Sequence, residues 1–551
     1  MGQSQTGQLS VDASPQNARK ISDKMFGVFF EEINHAGAGG LWAELVSNRG
    51  FEAGGPNTPS NIDPWLIIGD GSSIIVGTDR TSCFARNPVA LRMEVLCDSK
   101  RTNACPTGGV GVYNPGYWGM VCGYLLLSGG LVGVTYLLTY FNWPNYGHGF
   151  RKDLSLMLAN LKPQFLKFPG GNYAMGNYLR NAFWWSETVG PWEERPGHFN
   201  DAWGYWTDDG LGFFEFLQLA EDLGASPVWV VNDGASLNEE VSTATIASLV
   251  KDAVDGIEFA RGGPKTPWGS VRAAMGHPEP FKLDYVSIGN QECWMLYYRG
   301  NYQKFYSAIK AAYPDVNIIS SCDRSTISPS NPADLYDVHV YTSSSNMFSR
   351  TSMFDNTPRS GPKAIVSEYA VTGNDAGKGT LVAALAEAAF LIGLERNRWS
   401  PDAIVFNSWQ HYGCPNYWML HFFKDSSGAS LHPTIIQISN YNQIVASAIT
   451  WQNAKDKSTY LRIKVVNFGN SAVDLSISVA GLANGIKKSG SRQTVLTSSS
   501  PLDENSFQQP EKVVPVSSPL ANAEEQMSVS VRPYSLTSFD LLLEPSKHAS
   551  I

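Results

Sequence analysis

The sequence predicts an α/β protein in which a (β/α)8 barrel is followed by a carboxyl-terminal antiparallel β-sandwich. Up to about residue 414, short apolar runs alternate with longer amphipathic runs, which is typical of a parallel sheet covered by helices on both faces. From about residue 415 no helical period remains, and strand-like runs alternate with turns rich in Gly, Asn and Ser. This second pattern favours an antiparallel sandwich.

Eight apolar runs account for the barrel strands, and eight is the number that closes such a barrel. In chain order they are KMFGVFFEE, QFLKFPGG, SPVWVVNDG, DYVSIGNQE, NIISSCD, YDVHVY, KAIVSEY and DAIVFNSW. The helices between them include FFEFLQLAEDLG, IASLVKDAVDGIEFAR, NYQKFYSAIKAAYP and TLVAALAEAAFLIGLERN, each with apolar residues at helical spacing. The sandwich strands include STYLRIKVVNF, AVDLSISVAG, MSVSVRPY and SLTSFDLLL.

The composition excludes several classes of protein. The chain has 551 residues, of which 43% are apolar and 17% charged, so it is neither disordered nor fibrous. The net charge is −9 without a dense Lys/Arg run, which argues against nucleic-acid binding. The Cys and His spacings match no metal motif, so neither metal nor cofactor is expected. Cys97 and Cys105 bracket a short polar loop, and we expect them to form a disulfide in an oxidising compartment.

One segment does not fit a soluble barrel. Met120–Trp143 is almost wholly apolar and long enough to span a bilayer. It contains several Gly, however, and the sequence on both sides has the character of one soluble domain. We therefore expect a buried or poorly folded insert rather than membrane association, with a transmembrane helix as the open alternative. The amino terminus lacks the apolar core of a signal peptide.

Polar residues follow the apolar runs at the carboxyl ends of the predicted strands. In barrels of this kind the loops at those ends build the active site, so we expect the side chains to converge. The residues are Glu31, Asn172, Asn232, Asn290, Gln291, His339, Tyr341 and Glu368. Paired acidic groups surrounded by amides, His, Tyr and Trp, without a phosphate-binding loop, suggest glycoside hydrolysis. In the retaining form, one carboxylate attacks the anomeric carbon and a second protonates the leaving oxygen.

At these motifs the sequence closely resembles the plant α-L-arabinofuranosidases of glycoside hydrolase family 51. The resemblance covers nearly the whole chain outside the apolar segment. It is carried by FGVFFEEINHAGAGGLWAELVSNRGFE, KFPGGN, GPWEERPGHF, GYWTDDGLG, IGNQEC, DVHVYTSSSNMF and SEYAVTG. It implies a retaining hydrolase that removes terminal arabinofuranosyl groups from arabinoxylan- or arabinan-type polysaccharides or oligosaccharides. It also implies an extracellular or cell-wall location.

The resemblance also implies roles for single residues. Glu368 in SEY matches the family nucleophile. The positions that match, flank or resemble sugar-binding residues are Glu31, Asn172, Asn290, His339, Tyr341 and Gln410.

The main departure from the family pattern is at the acid/base position. The family has Gly-Asn-Glu where this chain has Gly-Asn-Gln, so Gln291 stands in place of the general acid/base. An amide cannot transfer a proton to the glycosidic oxygen. Glu292 is adjacent, but alternating strand side chains point to opposite faces, so only a bulge brings it into the site. Two hypotheses stay open: Glu292 substitutes as acid/base, or the protein is a catalytically impaired carbohydrate-binding pseudo-glycosidase.

Two further departures concern the scaffold. The apolar insert stands where the family usually carries a carbohydrate-binding-like β-domain. The family's usual strand is missing between Asn397 and Arg398, so either DAIVFNSW substitutes as the eighth strand or the barrel closes poorly. The expected organisation is an amino-terminal segment joining the sandwich (1–23), a first barrel part with a long loop (24–119), the insert (120–146), the remaining barrel (147–414) and the sandwich (415–551). The oligomeric state does not follow from the sequence.

Overall fold

The fold is described from a computed structural model of the chain. The structure describes residues 5–51, 53, 61–98, 104–117, 123–128, 131–136, 148–322, 331–357, 360–377, 379–395, 404–439 and 441–545, with only the backbone of 123–128 and 131–136. The junction at Asn397 and Arg398 and much of the apolar insert lie outside these residues.

The strands and helices of the described residues are numbered in chain order. The strands are β1 (Gln5–Asp12), β2 (Arg19–Lys20), β3 (Val28–Phe29), β4 (Leu66–Ile68), β5 (Ile74–Asp79), β6 (Ala90–Val95), β7 (Val110–Asn114), β8 (Gly123–Ser128), β9 (Leu131–Tyr136), β10 (Phe165–Phe168), β11 (His198–Asn200), β12 (Tyr205–Thr207), β13 (Ser226–Val231), β14 (Tyr285–Ile288), β15 (Asn317–Ser320), β16 (Leu335–Thr342), β17 (Lys363–Val371), β18 (Ile404–Phe406), β19 (His411–Gly413), β20 (Ser430–His432), β21 (Thr434–Ile438), β22 (Ile444–Gln452), β23 (Thr459–Asn467), β24 (Val473–Ala480), β25 (Arg492–Thr497), β26 (Val516–Pro519), β27 (Gln526–Val531) and β28 (Ser535–Leu542). The α-helices are α1 (Lys152–Asn160), α2 (Asn172–Met175), α3 (Phe213–Asp222), α4 (Ala247–Arg261), α5 (Pro267–Ala274), α6 (Tyr298–Ala312), α7 (Ser344–Ser349), α8 (Leu381–Glu395) and α9 (Pro415–Leu420).

The centre of the molecule is a nearly closed parallel sheet. Within the described residues it has seven strands in the order β17-β16-β15-β14-β13-β10-β3, and every neighbouring pair is parallel. Strands β10 and β13 are buried along their whole length, as expected when helices cover the outside and side chains fill the inside. The first seven predicted barrel strands are therefore confirmed.

The eighth strand of the prediction is wrong. Ile404–Phe406, from DAIVFNSW, pairs antiparallel with β19 and joins neither edge of the parallel sheet. The Asn407 side chain accepts the backbone N–H groups of Trp409 and Gln410 and reverses the chain after only three strand residues. A hairpin forms as a result, and the sheet stays open between β3 and β17 in the described part of the chain. Side chains of β3, α1 and β18 line a cavity of about 400 Å³ there.

The apolar insert contributes strands where its backbone is described. β8 pairs antiparallel with β7 and with β9, and β4 pairs with the other edge of β7. At residues 123–128 and 131–136 the structure thus differs from the transmembrane alternative, which needs a helix. None of the helices in the described ranges has the length and apolar composition to cross a bilayer.

Two further sheets follow the parallel sheet. One has the order β21-β1-β24-β27 and the other β2-β20-β22-β23-β28-β25-β26. Alternate residues of both, such as Leu9, Leu475, Ile463 and Phe539, pack into one shared core, as the period-two pattern of these strands requires. The amino-terminal β1 lies in register with β24, from Gln5 opposite Val473 onward.

Helix α8 joins the parallel sheet to this carboxyl-terminal part. All its residues are buried, including two acidic ones, which fits a helix that is apolar on every side. Its Glu395 forms a fully buried ion pair with Lys464 of β23. Ser426 and Ser447 also donate hydrogen bonds to the Glu395 carboxylate. A buried pair of this kind requires such additional hydrogen bonds.

Candidate active site

A cavity with several polar side chains opens at the carboxyl ends of the parallel strands. Its volume of about 610 Å³ lies within the usual range for small-molecule sites. Polar and aromatic residues in its lining include Glu31, Asn172, Trp203, Asn290, Gln291, Tyr341, Glu368 and Glu387. Six of the ten residues singled out from the sequence thus line one cavity. Asn232 does not, because its buried side chain donates hydrogen bonds to the carbonyls of Ala174 and Ala235 instead. The six come from the ends of β3, β10, β14, β16 and β17, which are distant in the chain but adjacent at one edge of the sheet.

Both carboxylate oxygens of Glu368 have polar partners that fix the side chain in place. It is only 6% exposed, and β17 holds it beside the neighbouring strand β16. Lys167 Nζ lies 2.8 Å from its Oε1, and the Tyr341 hydroxyl donates a hydrogen bond of 2.9 Å to its Oε2. His339 Nδ1 lies 3.2 Å from the same Oε2. These contacts orient a carboxylate at the cavity wall.

Lys167 is the charged centre behind this carboxylate. Its Nζ also lies 3.1 Å from Asp337 Oδ2 and 2.7 Å from Ser367 Oγ. Burial lowers the pKa of Lys167, but the carboxylates of Asp337 and Glu368 outweigh that effect and hold the pKa above its usual value. Burial likewise raises the pKa of Asp337, but Lys167 and His339 hold it well below its usual range. Lys167 and Asp337 therefore both carry their charges inside the protein.

Glu31 lines the same cavity, and its carboxyl group has a raised pKa. Burial and then the charge of Glu368 raise its pKa to about 7. Its Oε1 accepts a hydrogen bond of 2.8 Å from the backbone N–H of Tyr173 and one of 3.3 Å from Trp203 Nε1. Two carboxyl groups with such different surroundings therefore share one cavity, the arrangement found where acidic groups have separate tasks.

The amide and hydroxyl groups of the cavity are neutral and suited to sugar hydroxyls. Asn290 is buried with its Oδ1 unpaired among the described residues, and Asn172 is exposed at the first position of α2. A Cβ atom added at Gly171 would lie 3.2 Å from Asn290 Nδ2 and 3.5 Å from Glu368 Oε1. Glycine at this position therefore leaves room for a ligand between the two side chains.

Gln291 and Glu292 point in different directions. The strand ends at Ile288, and Gln291 has a left-handed backbone with φ +68°. Its side chain is exposed and lines the cavity, whereas that of Glu292 is 1% exposed and lies outside the lining. The Glu292 carboxylate accepts the backbone N–H of Asn290 and lies 3.4 Å from Ser321 Oγ. The loop conformation thus places Gln291, and not Glu292, in the site.

Glu292 has a second buried acid beside it. A Cβ atom added at Gly289 would lie 2.5 Å from Glu292 Oε2 and 3.2 Å from Asp233 Oδ2. Burial, and then the charge of Glu292, raises the pKa of Asp233 well above its usual value. Burial also raises the pKa of Glu292. Two acids that raise one another's cost of ionisation in a dry environment favour the protonated form of at least one of them.

The remaining predicted residues lie outside the cavity lining. His339 is buried behind Glu368, where its Nε2 contacts Asp337 Oδ2 at 3.1 Å. Gln410 is exposed in the turn between β18 and β19, where its backbone bonds to Asn407. The sequence interpretation missed Lys167 and Trp203. Lys167 was detectable, because a lone Lys in the apolar run QFLKFPGG must find a buried counter-charge.

Two disulfides lie in the described residues. Cys97–Cys105 confirms the pairing expected from the sequence. Cys293–Cys322 was not anticipated, and it ties the loop after Gln291 to the end of β15. In the part of the chain that the structure describes, no three His, Cys, Asp or Glu residues form a cluster that could hold a metal ion.

Two family models match the chain. Residues 157–359 match the model described as "Alpha-L-arabinofuranosidase 1 domain". Residues 367–535 match the model described as "Alpha-L-arabinofuranosidase C-terminal domain". Between them the two matches include strand β10, strands β13 to β16, the second half of β17 and most of the carboxyl-terminal strands.

Individual relatives agree with these matches. Alpha-L-arabinofuranosidases 1 and 2 of Arabidopsis thaliana are 53% and 51% identical, over 98% and 97% of this chain and 91% of each relative. The extracellular exo-alpha-L-arabinofuranosidase of Streptomyces chartreusis is 30% identical over 77% of this chain and 62% of its own length. The solved structure of an arabinose-bound GH51 α-L-arabinofuranosidase has the same fold, with a TM-score of 0.82 at 22% identity over 98% of this chain and all of that one.

Proposed function

Because this chain belongs to the α-L-arabinofuranosidases of glycoside hydrolase family 51, we propose that it is a retaining hydrolase of cell-wall polysaccharides. It releases terminal non-reducing α-L-arabinofuranosyl residues from chains of the arabinoxylan or arabinan type. The observation that carries the proposal is the position of Glu368. Its carboxylate is held by Lys167 and Tyr341 at the wall of a cavity lined with neutral amides.

In the proposed mechanism Glu368 attacks the anomeric carbon of the bound arabinofuranosyl group. Lys167, buried and charged, lies 2.8 Å from one oxygen of this carboxylate, and Tyr341 fixes the direction of its second oxygen. Asn172, Asn290 and Glu31 bind the sugar hydroxyls. Preorganised groups of this kind act at low cost because they need not rearrange during the reaction.

Gln291 determines which glycosides react well. Its amide donates a hydrogen bond to the leaving oxygen but supplies no proton, and Glu292 is buried away from the cavity. General acid catalysis is worth about 10²–10⁴-fold. Glycosides with poor leaving groups therefore react slowly, while aryl glycosides, whose phenolate leaves without protonation, form the glycosyl-enzyme readily. The relatives are named as hydrolases, and no comparison supports the impaired sugar binder.

The proposed location is outside the cell. One relative is named as extracellular. The Cys97–Cys105 and Cys293–Cys322 disulfides fit an oxidising compartment. Arabinose-bearing polysaccharides of the wall are accessible there.

The test compares wild type, Gln291→Glu and Glu292→Gln on arabinoxylan oligosaccharides and on an aryl α-L-arabinofuranoside. We expect Gln291→Glu to raise kcat/KM on the oligosaccharides by about 10²-fold or more, with a much smaller change in aryl-glycoside cleavage. Glu292→Gln is the matched control and keeps the wild-type rate on both substrates. Absence of arabinose release from both substrates by wild type and Gln291→Glu would refute the proposed function.

A further inference from the structure

A second cavity lies where the parallel sheet stays open in the described part of the chain. It is the cavity of about 400 Å³ between β3, α1 and β18, and it is called the seam cavity. Of the described residues that line it, all except Glu31 and Asn34 are apolar. An apolar cavity of about 150 Å³ is already large enough to bind benzene. The seam cavity therefore has room for a substituted aromatic group.

Helix α1 forms one wall of the seam cavity. Leu154, Leu158 and Leu161 line the cavity, and their spacing of four and then three residues places them on one face of the helix. Leu156 lies on another face of α1, where it is 39% exposed and outside the lining. The same helix thus carries leucines inside and outside the wall of the cavity.

The seam cavity and the active-site cavity are neighbours. The residues that line both cavities are Phe29, Glu31, Ile33, Asn34, Ile404 and Val405. Lys167 Nζ lies 5.3 Å from the centre of the Phe29 ring and 2.8 Å from Oε1 of Glu368. The two cavities therefore meet along β3 and β18, close to the candidate nucleophile.

The seam cavity does not lie on the side of the leaving group. Gln291, at the acid/base position, lines the active-site cavity but does not belong to the lining of the seam cavity. In a retaining hydrolase the acid/base group lies at the leaving oxygen. A group that enters the seam cavity is therefore a substituent of the arabinofuranosyl group itself. Glu31, to which the proposed mechanism assigns a sugar hydroxyl, stands at the junction of the two cavities.

We propose that the seam cavity binds an aromatic acyl group esterified to the primary hydroxyl of the arabinofuranosyl group, so that acylated arabinofuranosides are substrates. This inference rests on the proposed function, which places the arabinofuranosyl group in the active-site cavity. The primary hydroxyl is carried by the exocyclic carbon, so its ester extends away from the ring without moving the anomeric carbon from Glu368. Transfer of the aromatic ring from water into an apolar cavity favours binding. The ester bond itself stays intact.

The binding of two methyl glycosides tests this proposal without relying on hydrolysis. The ligands are methyl α-L-arabinofuranoside and its 5-O-benzoyl ester, which react slowly because methoxide is a poor leaving group. In titration calorimetry the wild type should bind the ester at least about tenfold more tightly than the unesterified glycoside.

Variants of α1 locate the site of binding. Leu158→Trp narrows the seam cavity, so it should lose the preference for the ester and still bind the unesterified glycoside. Leu156→Trp is the matched control, because it makes the same substitution on the exposed face of the same helix, and it should keep the preference. Leu154→Phe narrows the cavity from the preceding turn of α1 and takes the place of Leu158→Trp if that variant fails to fold.

The outcomes separate this proposal from the proposed function. A preference for the ester that is lost in Leu158→Trp and kept in Leu156→Trp supports the seam cavity, even if no arabinose is released from any glycoside. Equal, weaker or undetectable binding of the ester by the wild type overturns the proposal, and so does a preference that both variants keep or both lose.

Kinetics on aryl arabinofuranosides give a second readout. Leu158→Trp should lower the ratio of kcat/KM for the 5-O-benzoyl aryl arabinofuranoside to that for the unesterified one by about tenfold, and Leu156→Trp should not. If the wild type cleaves neither aryl substrate, the proposed function fails, and the binding measurements decide on the seam cavity.

Discussion

Replacement of Lys167 by Met tests whether a buried cation controls the candidate nucleophile. The Nζ–Oε1 distance to Glu368 is 2.8 Å, and the Lys167 and Glu368 side chains are 3% and 6% exposed. At an effective dielectric constant of about 20, Coulomb's law gives a gross attraction of about 6 kcal/mol at this distance. Breaking a buried pair typically costs about 3–5 kcal/mol, because the partner charge stays buried and uncompensated.

Two results follow for Lys167→Met. The free energy of unfolding at neutral pH should fall by about 3–5 kcal/mol. Removal of the cation 2.8 Å from its Oε1 disfavours the charged form of the Glu368 carboxylate. The acidic limb of the kcat/KM profile on an aryl arabinofuranoside should therefore move up by roughly one pH unit or more.

Lys464→Met is the matched control for this experiment. Lys464 is also buried and paired with a glutamate, Glu395, but lies in β23 of the carboxyl-terminal part. Its loss should reduce stability in a similar way and leave the pH profile of activity unchanged. An acidic limb that stays fixed in Lys167→Met, or that moves equally in both variants, would refute the electrostatic role of Lys167.

Three further predictions concern single positions. The pKa of Glu31 is about 7, so the affinity of the wild type for arabinose should change between about pH 6 and about pH 8. Glu31→Gln should abolish this change, and titration calorimetry at both pH values measures the affinity. Asp233→Asn should stabilise the protein more at about pH 8 than at about pH 5, because a buried acid whose folded pKa is raised makes the wild type less stable as the pH rises. Melting curves whose pH slope is the same in wild type and variant would contradict the raised pKa of Asp233. Gly171→Ala places a methyl group 3.2 Å from Asn290 Nδ2 and should weaken arabinose binding at least about tenfold without lowering the melting temperature comparably.

The parallel sheet was predictable because each of its strands is marked by a short apolar run in the sequence. Apolar runs such as SPVWVV must be buried on both faces, and polar residues at their ends must meet at one edge. The convergence of Glu31, Asn290 and Glu368 follows from this topology alone. The eighth strand was not predictable in the same way, since a three-residue run before a tight turn suits a hairpin as well as a barrel strand.

The direction of Glu292 was anticipated with incomplete reasoning. The alternation of side chains along a strand predicted that Glu292 points away from Gln291. The strand ends at Ile288, however, and both residues belong to a loop. The left-handed conformation of Gln291 produces the observed directions, and no sequence pattern announces a positive φ at Gln. Lys167 itself was detectable, but the residues that surround it were not, because Asp337, Ser367 and Glu368 are brought beside it only by the curvature of the seven-stranded sheet.

The central claim is that Glu368 forms a covalent arabinofuranosyl-enzyme beside Gln291, whose amide can neither donate nor accept a proton. Mass spectrometry of the enzyme mixed with an aryl α-L-arabinofuranoside tests it directly. Because water attack also lacks a general base, the wild type should accumulate one arabinofuranosyl group on the peptide that contains Glu368, and Gln291→Glu should not. No adduct, or an adduct on another residue, would contradict the assignment.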